Sequence, residues 1–192
     1  MKKLIFATNN KHKVEEVRAA LGGVVEVVTL AEAGLAGEIP ETADTLQGNA
    51  LQKAQWVWER THTDCFADDT GLEVDALGGA PGVYSARYAG EHCSFDDNID
   101  KLLLALDGQV DRKACFRTVI CLIEAGTPRY FEGRVDGQIL TMRHSGGEGF
   151  GYDPVFVPDR FALSFAEMPL EVKNTISHRG IAVRKLTEYL KR

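Results

Sequence analysis

The sequence lacks the features that mark several large classes of protein. No apolar run in its 192 residues approaches the roughly 20 residues that a membrane-spanning helix needs. Its cysteines form no CxxC pair and its histidines no HxxxH pair, so a zinc site is not predicted. The formal net charge is -6 and no run of basic residues occurs, which argues against a nucleic-acid surface. The sequence therefore predicts neither a membrane protein nor a nucleic-acid-binding protein.

Signals for export and for covalent catalysis are also missing. Two lysines at the N-terminus are followed by only a few apolar residues, which is too short for a signal peptide and predicts a first strand instead. The scattered cysteines predict buried thiols rather than disulfides. No GxSxG or Cys–His arrangement indicates a covalent nucleophile. We expect a cytoplasmic chain in which residues 1–192 form one domain, or two lobes sharing one cleft.

The hydrophobic pattern predicts an α/β fold that opens strand, turn, helix, strand. Helices are expected from residue 13 to 21, over 45–60, around 99–106 and over 177–191, the last with Ser177 as its N-cap. The predicted strands cover residues 3–7, 24–30, 114–124, 129–135 and 155–157. Two further strands, over 64–67 and 72–76, are expected to bracket a turn at residues 68–71.

A polar segment between the first strand and the first helix is a candidate phosphate site. A hydroxyl group, carboxamides, main-chain N–H groups at a helix start and a lysine all bind phosphate well. A polar turn with solvated lysines explains the same residues equally well. The segment is not a P-loop, because it contains no glycine. Its residues are Thr8, Asn9, Asn10, Lys11, His12 and Lys13.

Three acidic residues are candidate metal ligands. Asp68 and Asp69 follow an apolar strand segment, and Glu41 lies in an earlier loop. Aspartate disfavours strands and adjacent carboxylates repel each other, a repulsion that a divalent cation relieves. Mg²⁺ typically binds through one or two carboxylates plus substrate phosphates. The alternative is an Asp-rich turn, although a turn does not require two acids behind an apolar strand.

Other candidates are weaker when each is considered alone. Asn49 and Lys53 lie four residues apart, on one face of the second helix, and belong to a phosphate site only if that helix borders it. Phe150 lies between two glycines and is able to stack on a base, although an aromatic in such a loop is more often part of the core.

The start of the last helix breaks a local rule. His178 and Arg179 place positive charge on a first helical turn, against the helix dipole, and Lys173 precedes them. Local rules tend to be broken at functional sites, so these residues are predicted to contact a ligand. A charged surface cap is the alternative.

Taken together, these segments resemble the inosine triphosphate pyrophosphatase family, which acts on non-standard purine nucleoside triphosphates. The matching stretches are ATNNKHK, PET followed by GNALQKA, FADDTGLEVDALGGAPGVYSARYAG, GGEGFGYDPVF and KNTISHRGIA. The resemblance implies an elongated mixed sheet flanked by helices, with two lobes around a substrate cleft, in a homodimer. It also implies Mg²⁺-assisted hydrolysis of ITP, dITP and XTP to the monophosphate and pyrophosphate.

The resemblance also assigns roles to residues of this chain. Metal binding would fall to Glu41, Asp68 and Asp69, with Asp69 also the general base. Substrate contacts would come from Thr8, Asn9, Asn10, Lys11, His12, Lys13, Asn49, Lys53, Thr70, Phe150, Gly151, Tyr152, Asp153, Lys173, His178 and Arg179. Two positions depart from the pattern. Many members have glycine where this chain has Asn9, and an acid where it has Gly48, which puts in doubt a metal role at that position.

Two other functions stay open at this point. A related pyrophosphatase of the Maf-like kind would act on other modified nucleotides. A nucleotide-binding regulatory module would bind without catalysis, but it would gain nothing from Asp68 and Asp69.

Overall fold

The computed structural model describes residues 1–144 and 150–192, and for His12 only the main chain. Residues 145–149, which include the GGEG of the GGEGFGYDPVF stretch, lie outside the described residues, as does the His12 side chain. No helix among the described residues is long and apolar enough to span a membrane.

The described strands form one mixed sheet in the order β2-β1-β3-β4-β5-β6. β1 pairs in parallel with both β2 and β3, whereas β5 pairs antiparallel with β6. The α/β class with a mixed sheet is therefore confirmed. The strands are β1 (Lys2–Phe6), β2 (Val25–Val28), β3 (Cys65–Val74), β4 (Lys113–Glu124), β5 (Thr127–Ile139) and β6 (Phe156–Pro158). The helices are α1 (Lys11–Leu21), α2 (Leu46–Thr61), α3 (Phe95–Ala105), α4 (Leu170–Ile176) and α5 (His178–Leu190).

The chain divides into two compact units, each with its own apolar core. Unit 1 comprises Met1–Asp69, Thr118–Gly133 and Gly180–Arg192. Its core packs one face of α1 and α5 onto strands, with Val14, Val17 and Leu21 recurring at helical spacing as the sequence predicts. The core of unit 1 also includes Leu4, Phe6, Val25, Val27, Phe66, Ile120, Leu122, Ala182, Val183 and Leu186.

Unit 2 comprises Thr70–Arg117 and Arg134–Arg179. One face of α3 supplies Ile99 and Leu102 to its core, which is rich in aromatic rings, and Leu106, the C-cap of α3, joins them. Phe116 lies at the centre of these rings and contacts Phe156 edge-on, with the ring centroids 4.7 Å apart. The core of unit 2 also includes Leu72, Val74, Ala114, Ile139, Tyr152, Val155, Phe165 and Met168.

The prediction of two strands separated by a turn at residues 68–71 is wrong. A single strand, β3, runs without interruption through Asp68, Asp69, Thr70 and Gly71. Strand propensity depends strongly on context, and here the aspartate side chains are buried and paired with lysines, which offsets their low propensity. As a result the two carboxylates extend from a rigid strand rather than from a flexible turn.

Helix α4 was not predicted from the sequence. Its seven residues, Leu170–Ile176, are too few for a clear helical repeat, and none of them is buried. Ser177 ends this helix, since its main-chain N–H donates to the Lys173 carbonyl at 2.8 Å, and α5 begins at the next residue. Lys173 therefore lies on a helix, which gives its side chain a defined direction.

Candidate active site

The polar segment after β1 is built as a helix cap. Asn10 is the N-cap of α1, and its Oδ1 accepts a hydrogen bond from the Lys13 main-chain nitrogen at 3.2 Å. The Thr8 hydroxyl oxygen in turn accepts from the Asn10 nitrogen at 3.1 Å. Asn9 and Lys11 are exposed beside this cap. The start of α1 therefore presents the dipole and the free main-chain N–H groups that favour an anion.

Lys13 reaches back from the first turn of α1 to strand β3. Its Nζ lies 3.0 Å from each carboxylate oxygen of Asp68. The Asp68 side chain is only 4% exposed and that of Lys13 17% exposed. Lys13 therefore folds back over the strand end, so the phosphate candidates and the carboxylate candidates lie together in unit 1.

A second buried lysine joins the other two acids. Lys53 Nζ lies 2.6 Å from Glu41 Oε1 and 3.2 Å from Asp69 Oδ1. Asn49, one helical turn earlier on α2, donates from Nδ2 to the second oxygen of Asp69 at 3.2 Å. Both side chains on α2 are buried, so neither Asn49 nor Lys53 is a surface residue. We call the set Lys13, Glu41, Lys53, Asp68 and Asp69 the carboxylate cluster.

Helix α2 also fixes the loop that carries Glu41. Asn49 Oδ1 accepts from the Ala43 nitrogen at 2.9 Å. Gln52 holds Thr42 at two points, accepting from its main-chain nitrogen and donating to its hydroxyl, each at 2.9 Å. Sequence reasoning missed Gln52, although its position three residues after Asn49 places it on a neighbouring part of the helix surface.

Gly48 allows this loop to approach the helix closely. A Cβ atom at this position would lie 2.7 Å from the Ala43 Cβ and 2.9 Å from the Thr45 hydroxyl oxygen. Thr45 is the N-cap of α2, and its hydroxyl accepts from the Gly48 nitrogen at 3.0 Å. A larger residue at position 48 would therefore require the loop to shift.

Burial shifts the ionisation of the carboxylate cluster. Burial raises the pKa of Asp69 above its ordinary value, and the neighbouring Glu41 adds to the rise, against opposing effects of Lys53, Asn49 and Lys13. For Lys53, burial alone would lower the pKa, but the charges of Asp69, Asp68 and Glu41 together raise it. Lys53 is therefore a permanent cation, and Asp69 is a carboxylate that accepts a proton more readily than an exposed aspartate does.

The donor set of this cluster fits a hard divalent cation that arrives with a phosphorylated ligand. Its three carboxylates face two ammonium groups, which leaves one negative charge in excess. Over the described ranges, no group of three or more His, Cys, Asp or Glu side chains is arranged to hold a metal by itself. Mg²⁺ does not need such a cage, because it is usually bound by one or two carboxylates together with substrate oxygens.

The candidates near position 150 form a different kind of cluster in unit 2. Asp153 is buried, and its Oδ2 accepts from Lys173 Nζ at 2.5 Å and from the Phe150 main-chain nitrogen at 3.1 Å. Burial raises the pKa of Asp153, while Lys173 and the charge of Arg179 act in the opposite direction. We call Asp153 and Lys173 the Asp153 pair.

The residues between Phe150 and Asp153 are held in a tight turn. Gly151 has a φ of +58°, a conformation that glycine adopts without strain. Tyr152 is buried rather than available as a stacking surface, and its hydroxyl donates to the Ser85 carbonyl at 2.7 Å. The Ser85 hydroxyl accepts from the Leu72 nitrogen and donates to the Gly82 carbonyl. Sequence reasoning missed Ser85, which no motif distinguishes from its neighbours.

The two residues at the start of α5 lie in different surroundings. His178 is buried, and its ring stacks on Phe116 with the centroids 4.7 Å apart and the planes 11° from parallel. Arg179 is partly exposed and lies close enough to Asp153 for its charge to affect the ionisation of that residue. A charged surface cap is therefore the wrong description for His178. Thr70, the remaining candidate, follows Asp69 in β3 and is partly buried.

The sequence and the fold match those of known proteins over almost the whole chain. The family model of the Ham1 family matches residues 4–189. A dITP/XTP pyrophosphatase of Porphyromonas gingivalis is 58% identical over 191 residues, covering 99% of this chain and 98% of that protein. One of Flavobacterium johnsoniae is 52% identical over 188 residues, covering 98% and 97%.

Solved structures agree with this match. A Ham1 protein of Staphylococcus aureus has a TM-score of 0.92 at 36% identity, covering 99% of this chain and 98% of its own. A HAM1 protein of Coxiella burnetii has a TM-score of 0.94 at 35% identity, covering 100% and 99%. The resemblance that the sequence motifs carried is therefore confirmed, and the chain belongs to the Ham1 family.

Proposed function

We propose that this chain is a nucleoside triphosphate pyrophosphatase for the non-standard purine nucleotides dITP, ITP and XTP. Its relatives with 42–58% identity over nearly the full chain are named dITP/XTP pyrophosphatases. The structural observation that carries the proposal is the carboxylate cluster, in which two lysines form ion pairs with three acids. The cluster lies beside the start of a helix, which favours an anion. A module that only bound nucleotides would not require three buried or half-buried acids beside a polyanion.

The reaction is attack of one water molecule on the α-phosphorus. A bond forms between the water oxygen and the α-phosphorus, and the bond from the α-phosphorus to the bridging oxygen breaks. We assign to Asp69 the role of accepting the proton of the attacking water, and this assignment is supported by its burial, which raises its pKa above the ordinary value. The products are the nucleoside monophosphate and pyrophosphate, and no covalent intermediate is required.

Cationic groups of unit 1 neutralise the charge that develops on the leaving pyrophosphate. Lys13 and Lys53 are assigned to phosphate oxygens, together with the N–H groups at the start of α1 and the side chains of Thr8, Asn9, Asn10 and Lys11. Asn49 orients Asp69 through its hydrogen bond. Mg²⁺, held by Glu41, Asp68 and Asp69, would supply further neutralisation of phosphate charge when it is bound.

Residues of unit 2 are assigned to the base. Phe150 supplies an aromatic surface, and Lys173 and Arg179 supply donors for the 6-keto oxygen that hypoxanthine and xanthine carry. Adenine has an amino donor at this position, and facing it with a donor leaves a buried polar group unpaired, which supports strong discrimination. Gly151, Tyr152, Asp153 and His178 shape the pocket, and Thr70 contacts the substrate.

A single comparison of substrates tests the proposal. Pyrophosphate release is measured from ITP, dITP, XTP, GTP, ATP and a modified pyrimidine triphosphate, with and without Mg²⁺. We expect fast release from the first three in Mg²⁺ only, and slow release from ATP because of its 6-amino group. Guanine also carries a 6-keto oxygen, so the slow release expected from GTP requires that the pocket exclude its 2-amino group. Equal rates on GTP and ITP would contradict the substrate assignment, and preference for the modified pyrimidine would favour a Maf-like activity. Full activity in a chelator would contradict the metal requirement.

The assembly and location stay predictions. The resemblance implies a homodimer, which light scattering on the purified chain measures directly, and a monomer at the assay concentration would contradict it. The cytoplasmic location is tested by fractionation of the source cells.

A further inference from the structure

Phe150 has an aromatic neighbour that none of the sequence motifs includes. Its ring contacts the ring of Phe95 edge-on, with centroids 4.9 Å apart and planes at 66°. Both rings stay partly exposed, at 40% for Phe150 and 46% for Phe95. The contact joins positions 55 residues apart in the chain, both of which belong to unit 2. Two large apolar rings that share a contact yet remain open to solvent add little to the core.

The main chain of Phe150 is fixed, but that alone does not orient its ring. The hydrogen bond from its nitrogen to Asp153 Oδ2 sets the position of the main chain. The torsions χ1 and χ2 are independent of that bond, so the direction of the ring depends on what the ring touches. An edge-to-face contact favours one direction of the ring, because the positive edge of one ring meets the negative face of the other.

Phe95 is suited to this task because its main chain is fixed in a helix, and helical backbone restricts the rotamers of a side chain. It is the first residue of α3, next to a capping box in which the Ser94 hydroxyl accepts from the Asp97 nitrogen and Asp97 Oδ2 accepts from the Ser94 nitrogen. Arg143 donates to the Asp96 carbonyl at 2.9 Å and to Asp100 Oδ1 at 2.7 Å. Further along α3, leucine and isoleucine side chains anchor the helix in the core of unit 2.

We propose that Phe95 is a positioning residue that holds the Phe150 ring in the orientation for stacking on the purine base. It acts through Phe150 and does not itself take part in the reaction. The inference rests on the proposed function, because it assumes that Phe150 faces a base. Stacking is made in the ground state and in the transition state alike, so its loss raises KM and leaves kcat nearly unchanged.

The test compares Phe95→Ala with Phe95→Tyr in the full-length chain, with dITP as substrate. An edge-to-face pair corresponds to a change of roughly 3- to 10-fold, so we expect Phe95→Ala to raise KM by this factor with kcat within about twofold. Phe95→Tyr retains the ring and should keep the KM of the unsubstituted chain. Leu104→Ala is the matched control, since Leu104 is 77% exposed on the same helix, and it should leave KM unchanged. If Phe95→Ala does not fold, Phe95→Leu, which keeps an apolar side chain without a ring, should give the same rise.

Two further measurements separate positioning from a merely structural role. Inorganic tripolyphosphate has no base, so its inhibition constant should be the same for Phe95→Ala and the unsubstituted chain. In a Phe150→Ala background, Phe95→Ala should add no further rise in KM. An unchanged KM in Phe95→Ala, an equal loss of tripolyphosphate affinity, or a full additional effect in the Phe150→Ala background would each overturn the inference.

Failure of the proposed function would look different. An unsubstituted chain that hydrolyses neither dITP nor XTP contradicts the function itself. In that case calorimetric binding of dITP to the unsubstituted chain and to Phe95→Ala still measures the effect of Phe95. Equal affinities would overturn the positioning role independently of turnover.

Discussion

The carboxylate cluster of unit 1 and the Asp153 pair of unit 2 are built from the same types of residue but differ in net charge. Each buries an aspartate against a lysine, and in each burial raises the pKa of the aspartate. In unit 1, three carboxylates face two lysines, so one negative charge is in excess. In unit 2, one carboxylate faces Lys173 with the charge of Arg179 nearby, so no negative charge is in excess.

This difference in charge balance indicates which ligand chemistry each cluster suits. An excess of negatively charged carboxylate oxygens favours binding of a divalent cation. Because polyphosphates are bound together with such cations, this cluster suits a polyphosphate ligand. A balanced pair beside a half-exposed aromatic ring favours a neutral, planar group with hydrogen-bonding edges. The same residue types, Asp and Lys, thus support different chemistry because their ratio and neighbours differ.

The largest expected effect is on turnover at the carboxylate cluster. Asp69→Asn removes the proton acceptor while keeping the shape of the side chain, so we expect kcat on dITP to fall by about 10²- to 10⁴-fold. Circular dichroism should show an unchanged fold. Asp64→Asn is the control, because Asp64 directly precedes β3 and accepts hydrogen bonds from the Ala125 nitrogen and Lys2 rather than from the carboxylate cluster. Near-normal kcat in Asp69→Asn would contradict its role as the base.

The next effect tests the charge balance directly. Lys53→Met leaves Glu41 and Asp69 without their shared cation, and loss of one partner of a buried ion pair costs about 3–5 kcal/mol in the free energy of unfolding. Added Mg²⁺ should reverse part of the decrease in Tm, since the acids left without Lys53 should bind the cation more strongly than they do in the unsubstituted chain. Lys173→Met is the matched variant in unit 2, where the single carboxylate of Asp153 still lies near the charge of Arg179 and should give a Tm that does not respond to Mg²⁺. Equal responses of the two variants would show that the comparison of charge balance is wrong.

The pH dependence of kcat/KM tests the ionisation of the carboxylate cluster. A general base acts when it is deprotonated, so activity is lost as the pH falls through its pKa. Burial raises the pKa of Asp69, and we therefore expect the acidic limb of kcat/KM to lie above the ordinary value of 3.8. Glu41 contributes to the rise, so Glu41→Gln should move the limb to lower pH, whatever its effect on the maximal rate. Movement of the limb to higher pH would contradict this account.

The smallest effect concerns the support of the turn in unit 2. Tyr152→Phe removes the donor to the buried Ser85 carbonyl, which should lower the free energy of unfolding by about 1 kcal/mol. The chemical step lies elsewhere, so kcat should stay within about twofold, while KM for dITP rises slightly because Phe150 and Asp153 are held less firmly. Urea unfolding and steady-state kinetics measure both quantities. A large loss of kcat would indicate that Tyr152 acts in the reaction itself.

The sequence was a good guide to elements with strong local signals. Helix α1 was predicted because Val14, Val17 and Leu21 recur at helical spacing, and β4 because its apolar run is long. Helix α4 was missed because a short exposed helix has no apolar stripe. The prediction that β3 is interrupted at its aspartates was wrong, because strand propensity takes no account of the lysines that pair with those aspartates.

The residues of the candidate site also differ in how far the sequence identified them. Asp68 and Asp69 were identified because adjacent carboxylates behind an apolar strand contradict local preference, whereas Lys53 and Asp153 gained a role only through the family resemblance. Gln52, Ser85 and Phe95 were not identified, since each acts through a partner distant in the chain or through a geometry that only the folded helix provides.

The sequence by itself determined the α/β class, the family and the chemical types of the groups that we propose to bind phosphate, metal and base. The tertiary structure decided which of these groups face one another. It placed Lys13 against Asp68, shared Lys53 between Glu41 and Asp69, and brought Phe95 to Phe150. Charge balance and ring orientation depend on distances of a few ångströms between residues far apart in the chain, and only the packing of strands and helices sets those distances.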